Sequence, residues 1–145
     1  MCRFLSVLIA TSLVVLCTAA ADPLHLTGPF DHRDPIEIRE TDGNGIRIDQ
    51  LRFRLPATVG GSHSRVGGEI AVDILVSNTS DATTRIGLVV ALFDGEQHLL
   101  GAATGGSRLR GLKPGRARTY RLVFDDVNDR AYQAAQFRLT LESHR

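Results

Sequence analysis

Apolar and polar residues alternate with a period of two along most of this chain, which is the side-chain spacing of a β-strand. The clearest runs extend over residues 70–76, 120–124 and 137–141. The breaks between runs contain Gly, Pro, Asn and Asp, which favour turns, and not the residues that cap helices. The pattern predicts an all-β antiparallel β-sandwich of about seven or eight strands with Greek-key connections, and an open barrel is the alternative.

The first third of the pattern contains a hairpin and a change of phase. Asn44-Gly45 separates two alternating runs within residues 36–55, and this dipeptide favours a tight hairpin turn. After the turn, the apolar positions change from even-numbered at Ile48 to odd-numbered at Leu51. One extra residue is needed for this change, so we expect a β-bulge or a kink at which the strand switches sheets at Asp49-Gln50.

The second part of the pattern is more regular. Residues 86–93 are apolar at almost every position, which is typical of a central strand covered on both faces or of a strand in a sandwich interior. Asp94-Gly95 predicts a hairpin after this strand, and Pro114-Gly115 predicts a further turn. Between the last two strands, residues 125–135 leave room for a loop with one short helical turn.

The first residues read as a secretory signal peptide. Arg3 is followed by an apolar stretch over residues 4–16 and by small residues that end at Ala21. Cleavage after Ala21 would remove both cysteines, Cys2 and Cys17, and would place the protein in the periplasm or outside the cell. The alternatives are a retained membrane anchor, for which the stretch is short, and a lipoprotein acylated at Cys17.

Residues 22–145 are expected to form a single domain after cleavage. Within it we distinguish a first hairpin region at 36–55, a glycine-rich linker at 60–68 and a regular module at 68–142. The chain has 17 basic and 16 acidic residues, and Arg3 is the only charged residue before Asp22, so the remaining chain has no net charge. Neutral charge, two tyrosines and no tryptophan argue against nucleic acid as a partner.

The second half carries a recurring order of turns. The polar loop Asn78-Thr79-Ser80 is followed by Phe93-Asp94-Gly95, and then by Pro114-Gly115 before the strand at 120–124. Over about residues 68–142 this order resembles the immunoglobulin-like modules of bacterial envelope proteins, including the FxLYD type. Phe93 stands where that type has tyrosine, and the strand pair at 36–55 precedes the module. The resemblance implies an immunoglobulin-like sandwich with a non-catalytic binding or assembly role.

A basic run without acidic residues is the sharpest candidate for a ligand-binding site. Between Gln97 and Phe124 the chain has six cationic side chains: Arg108, Arg110, Lys113, Arg116, Arg118 and Arg121. Such a run can bind an anionic glycan, a lipid head group or an acidic partner protein, because arginine makes bidentate contacts to anions. The alternative is that these side chains are solvated or pair with Asp125, Asp126 and Asp129.

Signals for an enzyme are few. The chain has no Gly-x-Ser-x-Gly elbow, no His-Glu-x-x-His motif and no phosphate-binding glycine loop. The best metal candidate combines His25 with Asp31, His32 and Asp34, but Arg33 adds a competing charge and Pro35 favours a turn. We therefore predict a protein that is not an enzyme and needs no cofactor, and a metal-dependent enzyme that uses residues 25–34 is the alternative.

Asn78-Thr79-Ser80 also matches the acceptor sequence for N-glycosylation, and it falls in a predicted surface loop. In a bacterium this match would ordinarily have no consequence.

These observations lead to one function hypothesis and one competing hypothesis. The first is an exported sandwich protein that acts by protein–protein contact in the bacterial envelope, as an assembly, adhesion or accessory subunit. An exposed strand edge would add to the sheet of the partner. The competing hypothesis is binding of an anionic glycan or lipid head group through the basic run at 108–121, which would weaken steeply with salt.

Overall fold

The computed structural model describes residues 22–56, 69–107 and 109–145. These residues form eight strands and one short 3₁₀ helix. The elements are β1 (Leu24–Pro29), β2 (Ile36–Thr41), β3 (Ile46–Arg54), β4 (Ala71–Asn78), β5 (Arg85–Phe93), β6 (Leu99–Gly106), β7 (Ala117–Val123), the 3₁₀ helix (Asn128–Gln133) and β8 (Gln136–His144). The predicted leader (1–21), the whole of the predicted linker (60–68) and Arg108 lie outside the described residues.

The strands form two antiparallel sheets of four strands each. Sheet I has the order β1-β8-β5-β6, and sheet II has the order β2-β3-β4-β7. The chain passes from one sheet to the other after β1, β4, β6 and β7, so both halves of the sequence contribute to both sheets. The predicted all-β sandwich of about eight strands is confirmed.

The core lies between the inner faces of the two sheets, and period-two alternation builds it. In β4 the side chains of Val72, Ile74 and Val76 are fully buried, and in β8 those of Phe137, Leu139 and Leu141 are buried opposite them in the sandwich. Burial of such a side chain stabilises the fold by about 1.5–3 kcal/mol. The aliphatic and aromatic residues at alternate positions therefore determine which face of each strand points inward.

The predicted hairpin and bulge are both present. β2 and β3 pair antiparallel across the turn, and Gly45 at its end has a φ of +80°. Of the Asn44-Gly45 pair only the glycine takes positive φ, and Asp42 holds the turn by accepting hydrogen bonds from the backbone of Asn44 and Ile46. The register of β3 against β4 shifts between Ile48 and Gln50, where the phase of the apolar residues changes.

Two expectations need correction. The strand β1 was not predicted, although it pairs with β8 over six residues from Leu24 to Pro29. The strand β5 has a central position in sheet I, but only its inner face is covered by the core, and Val89 on the outer face is 42% exposed. A continuous apolar run such as that of β5 has no alternation, and it therefore does not show whether the outer face of the strand is covered or exposed.

The short helical turn predicted within residues 125–135 is the 3₁₀ helix. Val127 just before it is fully buried and contacts the inner side of β6. A Cβ atom added to Gly101 would lie 2.2 Å from Cγ2 of Val127, so glycine at this position allows β6 to pack closely against the residues that follow β7. Within the described ranges, no helix is long and apolar enough to cross a membrane.

We expect Gly101→Ala to lower the free energy of unfolding by about 1–3 kcal/mol, because the added methyl group overpacks a core contact with a stiff, β-branched side chain. Gly95→Ala is the matched control, since no atom lies within 4 Å of a Cβ at Gly95. Urea denaturation of the two variants measures the difference. Equal unfolding midpoints would show that β6 can move away from Val127 without cost.

Candidate functional site

The basic run divides between a loop and a strand. Arg110, Lys113 and Arg116 lie in the loop that joins β6 to β7, and Arg118 and Arg121 lie on β7. All five side chains are exposed. Since β7 is extended, its side chains alternate between the two faces of sheet II, and Arg118 and Arg121 project on opposite sides. The structure therefore does not bring these five residues together into one patch.

Arg121 belongs to an ion-pair cluster on the outer face of sheet II. Its Nε donates to Oδ1 of Asp73 at 2.8 Å, and Nε of Arg54 donates to Oδ2 of the same carboxylate at 2.5 Å. The hydrogen bond from Arg121, with that from Arg54, holds the pKa of Asp73 below its ordinary value. The partner of Arg121 is thus a strand residue of β4, and not one of the loop aspartates considered from the sequence.

Arg118 and Arg110 line a small open groove at the end of β6. Its other lining residues are Gly106 and Leu109, and its volume is about 380 Å³. The guanidinium of Arg118 lies 5.5 Å from the centre of the Tyr120 ring, which keeps the charge beside the rim of the core. Leu109 is 90% exposed, so the groove combines two cationic side chains with an apolar one.

Asn78 positions the loop that carries the basic residues. Its side chain is 1% exposed, and its Nδ2 donates to the carbonyl oxygens of Ala82 and Leu112, each at 2.8 Å. Its Oδ1 accepts hydrogen bonds from the backbone N–H and the hydroxyl of Ser80. The backbone of Asn78 also bonds to Gly115 and Arg116. One buried amide therefore ties the loop after β4 to the loop before β7.

This burial corrects the interpretation of Asn78-Thr79-Ser80 as a surface loop. Asn78 is the last residue of β4, and both atoms of its amide group are engaged in the folded protein. An N-linked glycan would replace one of the two hydrogens on this nitrogen, so at least one of the two hydrogen bonds that it donates would be lost. The residue types that match the acceptor motif also favour side-chain hydrogen bonds to the backbone, which is their role here.

We expect Asn78→Ala to lower the free energy of unfolding by about 2 kcal/mol, because it removes four hydrogen bonds from a buried site. Amide hydrogen exchange should accelerate in residues 109–116, which depend on this side chain for their position. Asp81→Ala, an exposed change in the same loop, is the control and should alter neither quantity. Unchanged exchange in the 109–116 loop would contradict the anchoring role.

The predicted metal region does not assemble. His25 lies on β1, where its Nδ1 is 3.0 Å from Oγ1 of Thr140. Asp31 accepts a hydrogen bond from the backbone of Arg33 at 2.8 Å, as is usual in a turn, and His32 stacks on Phe30. Across residues 22–56, 69–107 and 109–145, no group of three His, Cys, Asp or Glu side chains could hold a metal ion.

The sequence did not indicate which strands would lie at the edges of the two sheets. In the described part of the chain, β1 and β6 are the edges of sheet I, and β2 and β7 are the edges of sheet II. Natural sheets protect such edges with charges, prolines or bulges. Three of these edges have such protection: β1 ends at Pro29, β2 is interrupted between Glu37 and Glu40, and β7 has arginines.

The strand β6 has a register shift at Leu100, between the pairs Phe93–Leu99 and Leu92–Gly101, but neither of the other two devices. Its sequence, LLGAATGG, has no charge and no proline, and its pairing with β5 is uninterrupted from Gly101 to Gly106. Ala102 and Thr104 are exposed on its outer face, beside Ala91 and Val89 of β5. The strand itself is therefore uncharged, and small exposed side chains lie on its outer face. The order of strands in space was needed to find this edge, because β6 follows β5 along the chain as an ordinary hairpin.

No protein-family model matches the chain, and the curated proteins contain no significant match.

Proposed function

We propose that the protein is a non-catalytic binding module of the bacterial envelope and that it acts by protein–protein contact through the edge of β6. The observation that carries the proposal is the contrast between β6 and the three protected edges. A strand at the edge of a sheet directs every second N–H and C=O group away from its neighbour, and these groups are available to an extended segment of a partner. Export rests on the expected leader at residues 1–21.

The geometry indicates what kind of segment would bind. Main-chain hydrogen bonds to β6 would supply affinity, and the side chains beside the edge would supply selectivity. Thr104 lies opposite Val89, and Ala102 lies opposite Ala91, so the outer face next to the edge is small and apolar. Leu99 at the start of β6 is 58% exposed. An extended partner segment with small or apolar residues at alternate positions fits this surface.

The immunoglobulin-like resemblance supports the same proposal. It implies modules that bind or assemble and that have no fixed catalytic site. The two-sheet sandwich has the architecture that this resemblance implies, and the strand between the Asp94 hairpin and the Pro114 turn is β6 itself.

We expect Ala102→Lys combined with Thr104→Lys to abolish capture of the partner from the native envelope fraction, because two long cations would crowd the open edge and lose solvation in the complex. Ala117→Lys on the edge strand β7 is the matched control and should leave capture intact. Capture is measured by quantitative mass spectrometry with the purified protein as bait. It should be similar at low and high salt, because main-chain pairing depends little on screening.

Hydrogen exchange provides the site-specific measurement. The bound partner should slow exchange of amides in residues 99–106 more than in β1, β2 or β7. A set of captured proteins that is unchanged by the β6 substitutions would contradict the proposal, as would protection at any of the other three edges instead.

A second function is favoured by the groove, where Arg110 and Arg118 lie together. We propose that it binds an anionic glycan or lipid head group. Arg110→Gln with Arg118→Gln should weaken binding to dextran sulfate about tenfold, since each exposed charge contact contributes up to about 1 kcal/mol. Arg52→Gln, an exposed change on β3, is the control.

Binding to dextran sulfate should also fall steeply between about 50 mM and about 500 mM salt, because exposed charges are screened. Salt-independent binding, or equal loss in the Arg52→Gln control, would contradict a role for the groove.

A further inference from the structure

We infer that the partner of the β6 edge is a second copy of this chain, and that the two copies pair β6 to β6 in antiparallel fashion to form one continuous eight-stranded sheet from two copies of sheet I. The inference rests on the proposed function of this edge and names the partner. It depends on three properties of β6: its lack of charged residues, the small size of its side chains, and the charges at its two ends.

A strand that pairs with itself in antiparallel fashion places its own residues opposite one another around a two-fold axis. On β6 this juxtaposition brings no like charges together, because the strand is uncharged. The edge strand β7 behaves differently, since self-pairing would bring the arginines at 118 and 121 near their copies. Like charges directly opposite each other destabilise a sheet.

The alternation of side chains determines which registers are possible. Residues opposite one another in an antiparallel pair share a face of the sheet. The two-fold axis must therefore lie where one residue of β6 faces the same residue of the second copy. With the axis at Ala103, Ala102 lies opposite Thr104 of the second copy on the outer face, and Gly101 lies opposite Gly105 on the inner face. These small side chains let the two backbones approach to the normal strand spacing.

The ends of β6 have opposite charge, which favours the antiparallel orientation. The turn just before β6 has Asp94 and the exposed Glu96, both within 4 Å of the His98 ring, whereas the loop just after it has the exposed Arg110. In an antiparallel pair, the acidic turn of one copy lies beside the basic loop of the other, and this happens twice by symmetry. A parallel pair would place acidic turn beside acidic turn. Charge complementarity therefore selects the orientation in which the copies face each other.

The first measurement is the mass of the protein in solution by light scattering from about 1 µM to about 500 µM. We expect a concentration-dependent dimer. Ala102→Lys should weaken it at least about tenfold, because with the axis at Ala103 the two introduced lysines lie diagonally across the pair on the same face. Ala117→Lys on β7 should leave it unchanged.

A mixing experiment separates the pairing from a general loss of folding. Ala102→Lys and Ala102→Glu variants should each be monomeric and should form a mixed dimer when combined, because the introduced lysine and glutamate then lie diagonally across the pair on the outer face. Recovery of dimer on mixing supports β6 pairing, and a variant that had simply unfolded could not show it. Failure to recover, or a wild-type dimer unaffected by either variant, would overturn the inference.

These measurements distinguish failure of β6 self-pairing from failure of the proposed binding function. A wild-type protein that is monomeric at every concentration, but whose capture of envelope proteins is abolished by the two lysine substitutions on β6, would overturn self-pairing and leave the proposed function in place. A monomer whose capture is insensitive to these substitutions would overturn both.

Discussion

Two open sheets packed face to face bury their inner side chains but leave four strand edges, and this constraint connects the fold of the protein to its proposed function. Backbone N–H and C=O groups at an edge need either water or another strand. The described chain satisfies this constraint differently at each edge: proline at β1, a bulge in β2 and arginines on β7. The strand β6 alone among them has neither charge nor proline, and its register shift is confined to its start, at Leu100. Recognition is therefore expected where protection is missing.

The close packing of β6 against the rest of the sandwich explains its composition. Glycines at 101 and 105 have inward Cβ directions that approach Val127 and Leu122, so larger side chains there would push the strand away from sheet II. The same small residues leave the outer edge open to a second backbone. A strand built from Gly, Ala and Thr thus follows from packing on its inner side and permits pairing on its outer side.

The second candidate site, the basic run, was only partly predictable from the sequence. Its residues and their exposure could be read from the chain, but their grouping could not. Arg121 is drawn to Asp73 on β4, and β4 is distant in sequence and adjacent only through sheet pairing. Arg118 and Arg110 meet at the groove because Asn78 holds the connecting loop through hydrogen bonds that span more than thirty residues of sequence. Nothing local in the loop indicates that anchor.

The sequence by itself determined the all-β class, the inward faces of β3, β4, β7 and β8, the change of phase after Ile48 and the main turns, because each depends on side chains within a few residues of one another. The tertiary structure alone decided that β1 pairs with β8, that Asn78 is buried, and that β6 is an open edge. These depend on which distant strands become neighbours. Alternation specifies the face that a strand buries but not its position in the sheet, because every strand of a sandwich buries one face in the same way.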